Sequence, residues 1–317
     1  MNRHPANISI VIPCFNEADC IMALYAALCQ VMQENAVLYE LVFIDDGSTD
    51  GTLDLLSHLS EYDSHVHWLS FSRNFGHQKA LKAGLDHAKG EVIITMDADM
   101  QHPAALIPEM LALWSEGYDI VNTVRKNDRK CGWFKNATSG LFYRIMNSLA
   151  DIPVSEGSAD FRLLDAKAVD ILRTCHEEYM FLRGMTSWIG FRQTQIIYEA
   201  HTRYAGKTKY SFRKMFSFAL CGITSFSVRP LRWAIALAAF FALLAIAEII
   251  YVIYVACFDG QTVSGWASLA ILISVLGAAI LLMLGIMGEY LGKLFMQCKQ
   301  RPEYIITVSY THLRAHE

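Results

Sequence analysis

Short apolar runs alternate with amphipathic segments through the N-terminal part of the chain. The apolar runs, each of strand length, fall at residues 8–12, 41–44, 66–71, 92–96 and 119–124. Hydrophobic positions recur at helical spacing in residues 20–33, 78–87 and 104–114. Strands that alternate with helices are typical of a mostly parallel sheet with helices on both faces. The pattern therefore predicts an α/β domain.

The middle of the chain carries weaker patterns. It predicts a helix at residues 134–150, a Gly/Ser loop through residues 155–158, a strand near residues 161–164 and mixed structure to residue 199. Residues 211–226 place apolar side chains at helical spacing with Arg213 and Lys214 between them. Because a long apolar stretch follows, this pattern favours an amphipathic helix at a membrane surface. A core helix of the N-terminal domain is the alternative.

Two apolar stretches, at residues 233–258 and 266–288, are each long enough to cross a bilayer as a helix. A pair of buried core helices is the alternative. The connecting residues 259–265 contain neither Lys nor Arg, whereas basic residues flank the pair on its outer sides at Arg229, Arg232, Lys293, Lys299 and Arg301. The positive-inside rule then places both outer ends, and the large N-terminal part, in the cytosol.

Composition agrees with a membrane protein. Of the 317 residues, 53% are hydrophobic, and the mean hydropathy of +0.26 is high for a soluble chain. The net charge of −4 gives no argument for nucleic-acid binding. Eight scattered cysteines without a Cys-x-x-Cys pair predict reduced thiols rather than a zinc site or disulfides. Residues 1–5 carry no signal-peptide core, and the aperiodic residues 308–317 favour a non-native or misread tail.

Carboxylates follow two of the predicted strands. Asp97 and Asp99 come directly after the run at residues 92–96, and Asp45 and Asp46 end the run at residues 41–44. At the mouth of a parallel sheet, the first pair can hold a divalent cation against a diphosphate. Capping of the helix at residues 104–114 by Asp99 is the alternative. Asp46 can accept hydrogen bonds from a uracil or a ribose.

Phosphate-binding loops of the common kinds are missing. The sequence contains neither Gly-x-Gly-x-x-Gly nor the complete Gly-x₄-Gly-Lys-Ser/Thr pattern, so dinucleotide oxidoreductases and P-loop NTPases lose their main support. Metal and cationic side chains would then bind the phosphates. The candidate cations are Arg73, Lys79, Arg125, Lys135, Arg203, Lys207 and Lys209.

Together these features resemble family-2 glycosyltransferases of the GT-A fold, specifically the membrane-anchored polyprenyl-phosphate glycosyltransferases (bactoprenol glucosyltransferases and dolichol-phosphate mannose synthases). The resemblance covers about residues 8–306, and the two-span hairpin points to the bactoprenol branch. Its motifs lie at residues 13–17, 45–52, 72–76, 97–103, 157–163, 203–210 and 288–292. His102 stands where the bactoprenol branch commonly has Asp, and Cys221 stands where an acidic residue is usual.

The resemblance implies a domain plan. A cytosolic GT-A domain (Rossmann-like, with a mostly parallel sheet) is expected at residues 1–210, and a juxtamembrane amphipathic segment at residues 211–231. Transmembrane helices are expected at residues 232–258 and 266–290, followed by a cytosolic tail at residues 291–317.

The resemblance also implies site residues. The nucleotide is expected at Pro13, Glu17 and Asp46, and Mg²⁺ or Mn²⁺ at Asp97, Asp99 and Gln101. The acceptor phosphate is expected at Arg125, Lys135 and Ser139, with Arg203 and Lys209 closing over the phosphates. Asp99 and Asp160 are the expected catalytic carboxylates. Asp160 is the weaker candidate for a base, because a phosphomonoester is already mostly dianionic at pH 7.

The implied reaction is inverting transfer of one sugar, glucose from UDP-glucose, to undecaprenyl phosphate at the cytoplasmic face of a bacterial inner membrane. GDP-mannose or another UDP-sugar is an alternative donor. The alternative to an enzyme is a non-catalytic, membrane-anchored scaffold protein that binds nucleotide sugars. A processive polysaccharide synthase would carry a Gln-x-x-Arg-Trp signature, which Leu231-Arg232-Trp233 does not complete. Self-association is a further expectation, from Glu248 and Gly288-x-x-x-Gly292.

Overall fold

The computed structural model describes residues 7–35, 37–126, 158–177, 180–199, 227–258 and 265–309. The helices predicted at residues 134–150 and 211–226 lie outside these ranges. Four residues of the expected site also lie outside them: Lys135, Ser139, Arg203 and Lys209.

The N-terminal half alternates strands and helices, as predicted. Its elements are β1 (Ile8–Cys14), α1 (Ala18–Glu34), β2 (Tyr39–Asp45), α2 (Thr52–Tyr62), β3 (Val66–Phe71), α3 (His77–His87), β4 (Val92–Thr95), α4 (Ile107–Ser115) and β5 (Ile120–Arg125). The helix predicted at residues 104–114 begins as a 3₁₀ turn, Ala104–Leu106. Regular helix then follows with Pro108 in its first turn, where the missing N–H is tolerated.

The C-terminal half adds three strands and four helices in its described residues. They are β6 (Ser158–Asp165), α5 (Ala166–Thr174), α6 (Leu182–Trp188), β7 (Gln193–Tyr198), α7 (Arg229–Phe258), α8 (Trp266–Cys298) and β8 (Ile306–Ser309). The strand predicted near residues 161–164 is β6. Asp165 ends β6 and caps α5, because its carboxylate accepts a hydrogen bond from the backbone N–H of Lys167.

One eight-stranded sheet crosses the described residues in the order β7-β5-β6-β4-β1-β2-β3-β8. Strands β4, β1, β2 and β3 are parallel neighbours. Strand β6 lies antiparallel between β4 and β5, β7 is parallel to β5, and β8 runs antiparallel along β3. The prediction of a mostly parallel sheet is confirmed.

The core lies on both faces of the sheet, because side chains alternate along each central strand. In β1, Ile10 and Ile12 join the core that contains residues of α1, whereas Val11 joins the core that contains residues of α3. Gly84 lets α3 lie directly against β1, since a Cβ there would come within 2.1 Å of Val11 Cγ1. This packing fixes the start of α3, at His77, near the ends of the parallel strands.

Two described helices are long and apolar enough to cross a membrane, by length and composition: α7 over Arg229–Tyr251 and α8 over Leu272–Cys298. Helix α8 continues beyond residue 290, the predicted end of the second span. After α8, Val308 of β8 pairs with Ser70 of β3. The segment predicted as a cytosolic tail at residues 291–317 therefore begins as helix and then joins the sheet, and residues 310–317 lie outside the described ranges.

Candidate active site

The carboxyl ends of β1, β2 and β4 lie side by side at one end of the sheet, because these strands are parallel neighbours. Ligands in open α/β sheets bind outside these carboxyl ends. The structure brings together here the predicted residues of three motifs: Glu17 after β1, Asp46 after β2, and Asp97 with Asp99 after β4.

Asp46 is clamped by backbone amides of the loop after β3. Its Oδ1 accepts a hydrogen bond from Phe75 N at 2.6 Å, and its Oδ2 accepts one from Gly76 N at 3.0 Å. Burial raises the pKa of Asp46, and the two amides only partly offset this effect. The side chain is 3% exposed in relative terms, so its position is fixed by the protein rather than by solvent.

Gly47 allows the loops after β2 and β3 to meet. It has a φ of +68°, which favours glycine. A Cβ at this position would lie 2.6 Å from the carbonyl carbon of Arg73. The hydrogen bonds from Phe75 and Gly76 to Asp46 therefore depend on the absence of a side chain at the next residue, Gly47.

Asp45 and Asp50 have structural partners. Asp45 accepts hydrogen bonds from Ser48 N at 3.0 Å and from Ser70 Oγ at 2.7 Å, which holds the turn after β2. Asp50 accepts from Thr52 N at 3.0 Å, at the start of α2. Asp46 is thus the member of the Asp45-Asp46 pair whose carboxylate reaches across to the loop after β3.

The carboxylates after β4 differ in their surroundings. Asp99 is 9% exposed, and its Oδ1 accepts a hydrogen bond from Gln101 N at 3.1 Å. The N-cap position of the 3₁₀ turn is Pro103, whose side chain makes no capping hydrogen bond. The structure therefore does not support the alternative in which Asp99 caps this helix.

Asp97 lies between two histidines. His102 Nε2 is 3.1 Å from Asp97 Oδ2, and His77 Nε2 is 3.3 Å from Asp97 Oδ1. Burial raises the pKa of Asp97, but His77 and His102 outweigh burial and hold this pKa below its usual range. His102 is itself oriented by the hydroxyl of Tyr198, which lies 2.7 Å from its Nδ1.

Asp160, on β6, is the centre of a buried charged cluster. It is 4% exposed. The guanidinium of Arg183 donates to both carboxylate oxygens, with Nε and Nη2 each at 2.9 Å. Arg162 Nη2 lies 3.1 Å from Asp160 Oδ1. Burial raises the pKa of Asp160, but Arg183 first, and then His77 and Arg162, hold it well below its usual range.

His77 joins the two carboxylate sites. Its Nε2 lies 3.3 Å from Asp97 Oδ1 and 3.4 Å from Asp160 Oδ2. Burial lowers the pKa of His77, but Asp97 and Asp160 outweigh burial and raise it to about 9. Both carboxylates are therefore ionised at neutral pH, with an imidazolium between them.

Arg125 and Gln101 contact each other directly. Arg125 Nη2 donates to Gln101 Oε1 at 2.5 Å. The expected metal ligand Gln101 and the expected acceptor-binding Arg125 therefore lie side by side at the end of β5, next to the Asp97–Asp99 loop. In this arrangement the amide oxygen of Gln101 already accepts a hydrogen bond from the guanidinium of Arg125.

Sequence reasoning missed His77, Arg162 and Arg183 as members of the site. Arg162 had a usable signal, because it lies two residues after Asp160 on a strand and so shares its face. His77 directly follows the motif at residues 72–76. Arg183 carries no local signal, since it comes from α6, 23 positions beyond Asp160 in the sequence.

Comparison with protein families gives this arrangement a context. A family model described as "Glycosyl transferase family 2" matches residues 9–172, slightly more than half of the chain. The chain belongs to glycosyl transferase family 2. Its mostly parallel sheet is the GT-A-like fold expected for this family.

Relatives of this glycosyltransferase match it over nearly its whole length. It is 39% identical over 310 residues to the uncharacterized glycosyltransferase YkcC of Bacillus subtilis, covering 98% of this chain and 96% of YkcC. It is 36% identical over 303 residues to the SfII prophage-derived bactoprenol glucosyl transferase of Shigella flexneri, covering 96% and 98%. The prophage bactoprenol glucosyl transferase homolog of Escherichia coli K12 is 36% identical over 299 residues, covering 94% and 98%.

The carboxylates after β4 fit a divalent cation whose remaining ligands come from the substrate and water. Within the described residues, no three His, Cys, Asp or Glu side chains form a group that could hold a metal. However, Asp97 Oδ1 accepts no hydrogen bond of good geometry from a described residue, although the His77 ring lies 3.3 Å from it, and the Asp97 side chain is 33% exposed. Mg²⁺ typically keeps water and is bound through one or two carboxylates plus substrate phosphates. Asp97 and Asp99 supply two such carboxylates, and a bound ion would take the place of His77 beside Asp97; Gln101 would have to leave Arg125.

Proposed function

We propose that this glycosyltransferase transfers one sugar, with inversion, from a nucleotide sugar to a polyprenyl phosphate. The proposed donor is UDP-glucose and the proposed acceptor is undecaprenyl phosphate, so the product is a lipid-linked glucose for envelope glycans. The observation that carries the proposal is the Asp97–Asp99 pair at the sheet edge of a chain that also contains two membrane-length apolar helices. The relatives named bactoprenol glucosyl transferase support it.

The donor site would span the ends of β1, β2 and β4. The proposed nucleotide-binding residues are Pro13, Glu17 and Asp46. The proposed metal ligands, for Mg²⁺ or Mn²⁺, are Asp97, Asp99 and Gln101. When bound, the ion would neutralise charge that develops on the departing nucleoside diphosphate. Because the amides of the loop after β3 already fix Asp46, its carboxylate can select a uracil or ribose without reorganising.

Asp160 has the properties of a positioning group in this proposal. A phosphate oxygen of the acceptor forms the new bond to the anomeric carbon while the bond from that carbon to the diphosphate breaks. A phosphomonoester with a second pKa of about 6 is mostly dianionic at pH 7, so no proton has to be removed. A carboxylate with a strongly lowered pKa is also a weak base. Asp160 would instead hold Arg183 and His77 in place.

Two anions must approach each other in this reaction, so fixed cations are required. We assign the acceptor phosphate to Arg125, Lys135 and Ser139, and closure over the phosphates to Arg203 and Lys209. Of these residues, Arg125 lies in the described structure, beside Gln101. The polyprenyl tail would remain in the bilayer, and the two apolar helices would hold the site at the cytoplasmic headgroup level.

The proposal is tested by incubating membranes that contain the protein with undecaprenyl phosphate, Mn²⁺ and labelled UDP-glucose, other UDP-sugars or GDP-mannose, each separately. The expected result is a labelled, organic-soluble monosaccharide lipid from UDP-glucose. Asp99→Asn should abolish it, whereas the control Asp54→Asn, on helix α2, should not. Product from GDP-mannose alone would overturn the donor assignment. No product from any donor would leave the scaffold alternative and overturn the enzymatic proposal.

A further inference from the structure

The chain returns to the catalytic sheet after its second apolar helix. Helix α8 ends at Cys298, and β8 then pairs with the outer edge of β3. The contact extends past the strand, because Ser72 N donates to Ile305 O at 3.0 Å. The segment that follows α8 is therefore built into the sheet beside the loop at residues 72–76.

Tyr304 anchors this segment to helix α3. Its hydroxyl donates to Asp86 Oδ2 at 2.9 Å. The other oxygen of Asp86 lies 2.5 Å from Nζ of Lys82, which is 2% exposed and also donates to the carbonyl of Arg173 at 3.2 Å. Burial, and then Asp86, raise the pKa of Tyr304, so its hydroxyl remains a donor at neutral pH. Tyr304 thus completes a partly buried polar cluster around Lys82 and Asp86 of α3.

The ring of Tyr304 is the first of three aromatic rings that lead to Asp46. It stacks on Phe71, with centroids 5.2 Å apart and planes at 16°. Phe71 meets Phe75 edge to face, with centroids 5.7 Å apart and planes at 86°. The backbone N–H of Phe75 is the 2.6 Å donor to Asp46. A side chain beyond the membrane-length helix therefore packs against Phe71, whose ring in turn contacts Phe75 in the loop that holds the Asp46 carboxylate.

We propose that Tyr304 is a positioning residue for the donor nucleotide, acting through Phe71 and Phe75 on the amides that hold Asp46. The inference rests on the proposed function, because Asp46 binds the nucleotide there. Phe75 sits between Phe71 and the guanidinium of Arg73, which lies 4.2 Å from its ring centroid. Removing the Tyr304 ring frees one side of this stack. The amides then lose a fixed position, and the nucleotide must order them when it binds.

The test compares full-length variants in detergent or nanodiscs by UDP titration with Mn²⁺, UDP-glucose kinetics and thermal unfolding. Tyr304→Ala should raise the UDP Kd and the donor KM by about three- to tenfold, since an aromatic pair contributes up to about tenfold to an equilibrium constant. The kcat should change less than about twofold, because the reacting groups are untouched. Tyr304→Phe keeps the ring and should retain the wild-type Kd. Tyr304→Leu keeps apolar bulk without the ring, so it should raise the UDP Kd as Tyr304→Ala does. It provides the same test if Tyr304→Ala does not fold.

Tyr25→Ala is the matched control, because the Tyr25 hydroxyl also donates to a carboxylate, Asp63 Oδ2 at 2.8 Å. It should lower the unfolding temperature without changing the UDP Kd. If Tyr304→Leu keeps the wild-type Kd, Tyr304 has only a structural role and the inference is wrong. If the wild-type protein binds neither UDP nor GDP, the proposed nucleotide site itself is wrong, and the inference fails with it.

Discussion

Replacing Asp160 with Asn removes the negative charge from the buried cluster while keeping its size. The wild-type carboxylate receives two hydrogen bonds from Arg183 and one from Arg162, which is fully buried. Removing one partner of a buried ion pair destabilises a protein by about 3–5 kcal/mol. Because the Arg183 side chain is 25% exposed and can rehydrate, we expect the lower end, about 3 kcal/mol. For a domain of this size, that corresponds to about 6–12 °C in unfolding temperature.

The assay is thermal unfolding of the solubilised protein together with transfer rates between pH 6 and 9. Asp160→Asn should reduce kcat by about 10- to 100-fold, because displaced cations misalign the reacting anions. Asp170→Asn is the matched control. Asp170 also pairs with an arginine, at 2.7 Å, but its side chain is 65% exposed, so the change in stability should stay below about 1 kcal/mol.

The pH profile separates a positioning role from a base. The pKa of Asp160 is lowered in the folded protein, so its stabilising effect is complete above the unfolded value of about 3.9 and is lost as pH falls through the lower folded value. Because Asp97 and Asp160 raise the pKa of His77 to about 9, the comparison is made in a His77→Gln background, where this imidazole cannot titrate. Between pH 6 and 9 the Asp160 carboxylate is then fully ionised, and the rate ratio of that protein to its Asp160→Asn variant should be constant. A ratio that shrinks as pH rises would show that Asp160 accepts a proton and would refute the reasoning.

Two other predictions concern the strand ends that form the candidate site. Gly47→Ala places a side chain at a positive φ and against the Arg73 backbone, so it should destabilise the protein by about 1–3 kcal/mol and raise the donor KM. Gly51→Ala should change neither the stability nor the donor KM, because a Cβ there meets no described atom within 4 Å; equal unfolding temperatures for the two variants would contradict the prediction. Removal of divalent ions with EDTA should abolish transfer and added Mn²⁺ should restore it in the wild type but not in Asp99→Ala; metal-independent transfer would exclude the proposed ligand role.

The sequence allowed prediction of the strand-end carboxylates because each follows a short apolar run, and parallel order then brings the ends together. The direction of β6 could not be predicted, since a period of two residues is the same in parallel and antiparallel strands. Strand β8 has only four residues and begins two residues before the aperiodic segment at residues 308–317. Its partner is more than 230 positions away, at Ser70, so no local pattern indicates the pairing. Arg183 was missed for a similar reason, because it comes from a different element, 23 positions beyond Asp160.

The position of β8 joins the second apolar helix to the sheet in a way that suits the proposed reaction. Helix α8 ends at Cys298, and seven residues, 299–305, lead into β8, which pairs with β3 at one edge of the sheet. A chain of seven residues spans at most about 25 Å, so the sheet cannot move far from the end of α8. In the proposed reaction, this short connection would limit the distance between the strand ends that carry Asp46 and Asp97 and a phosphate confined to the headgroup layer.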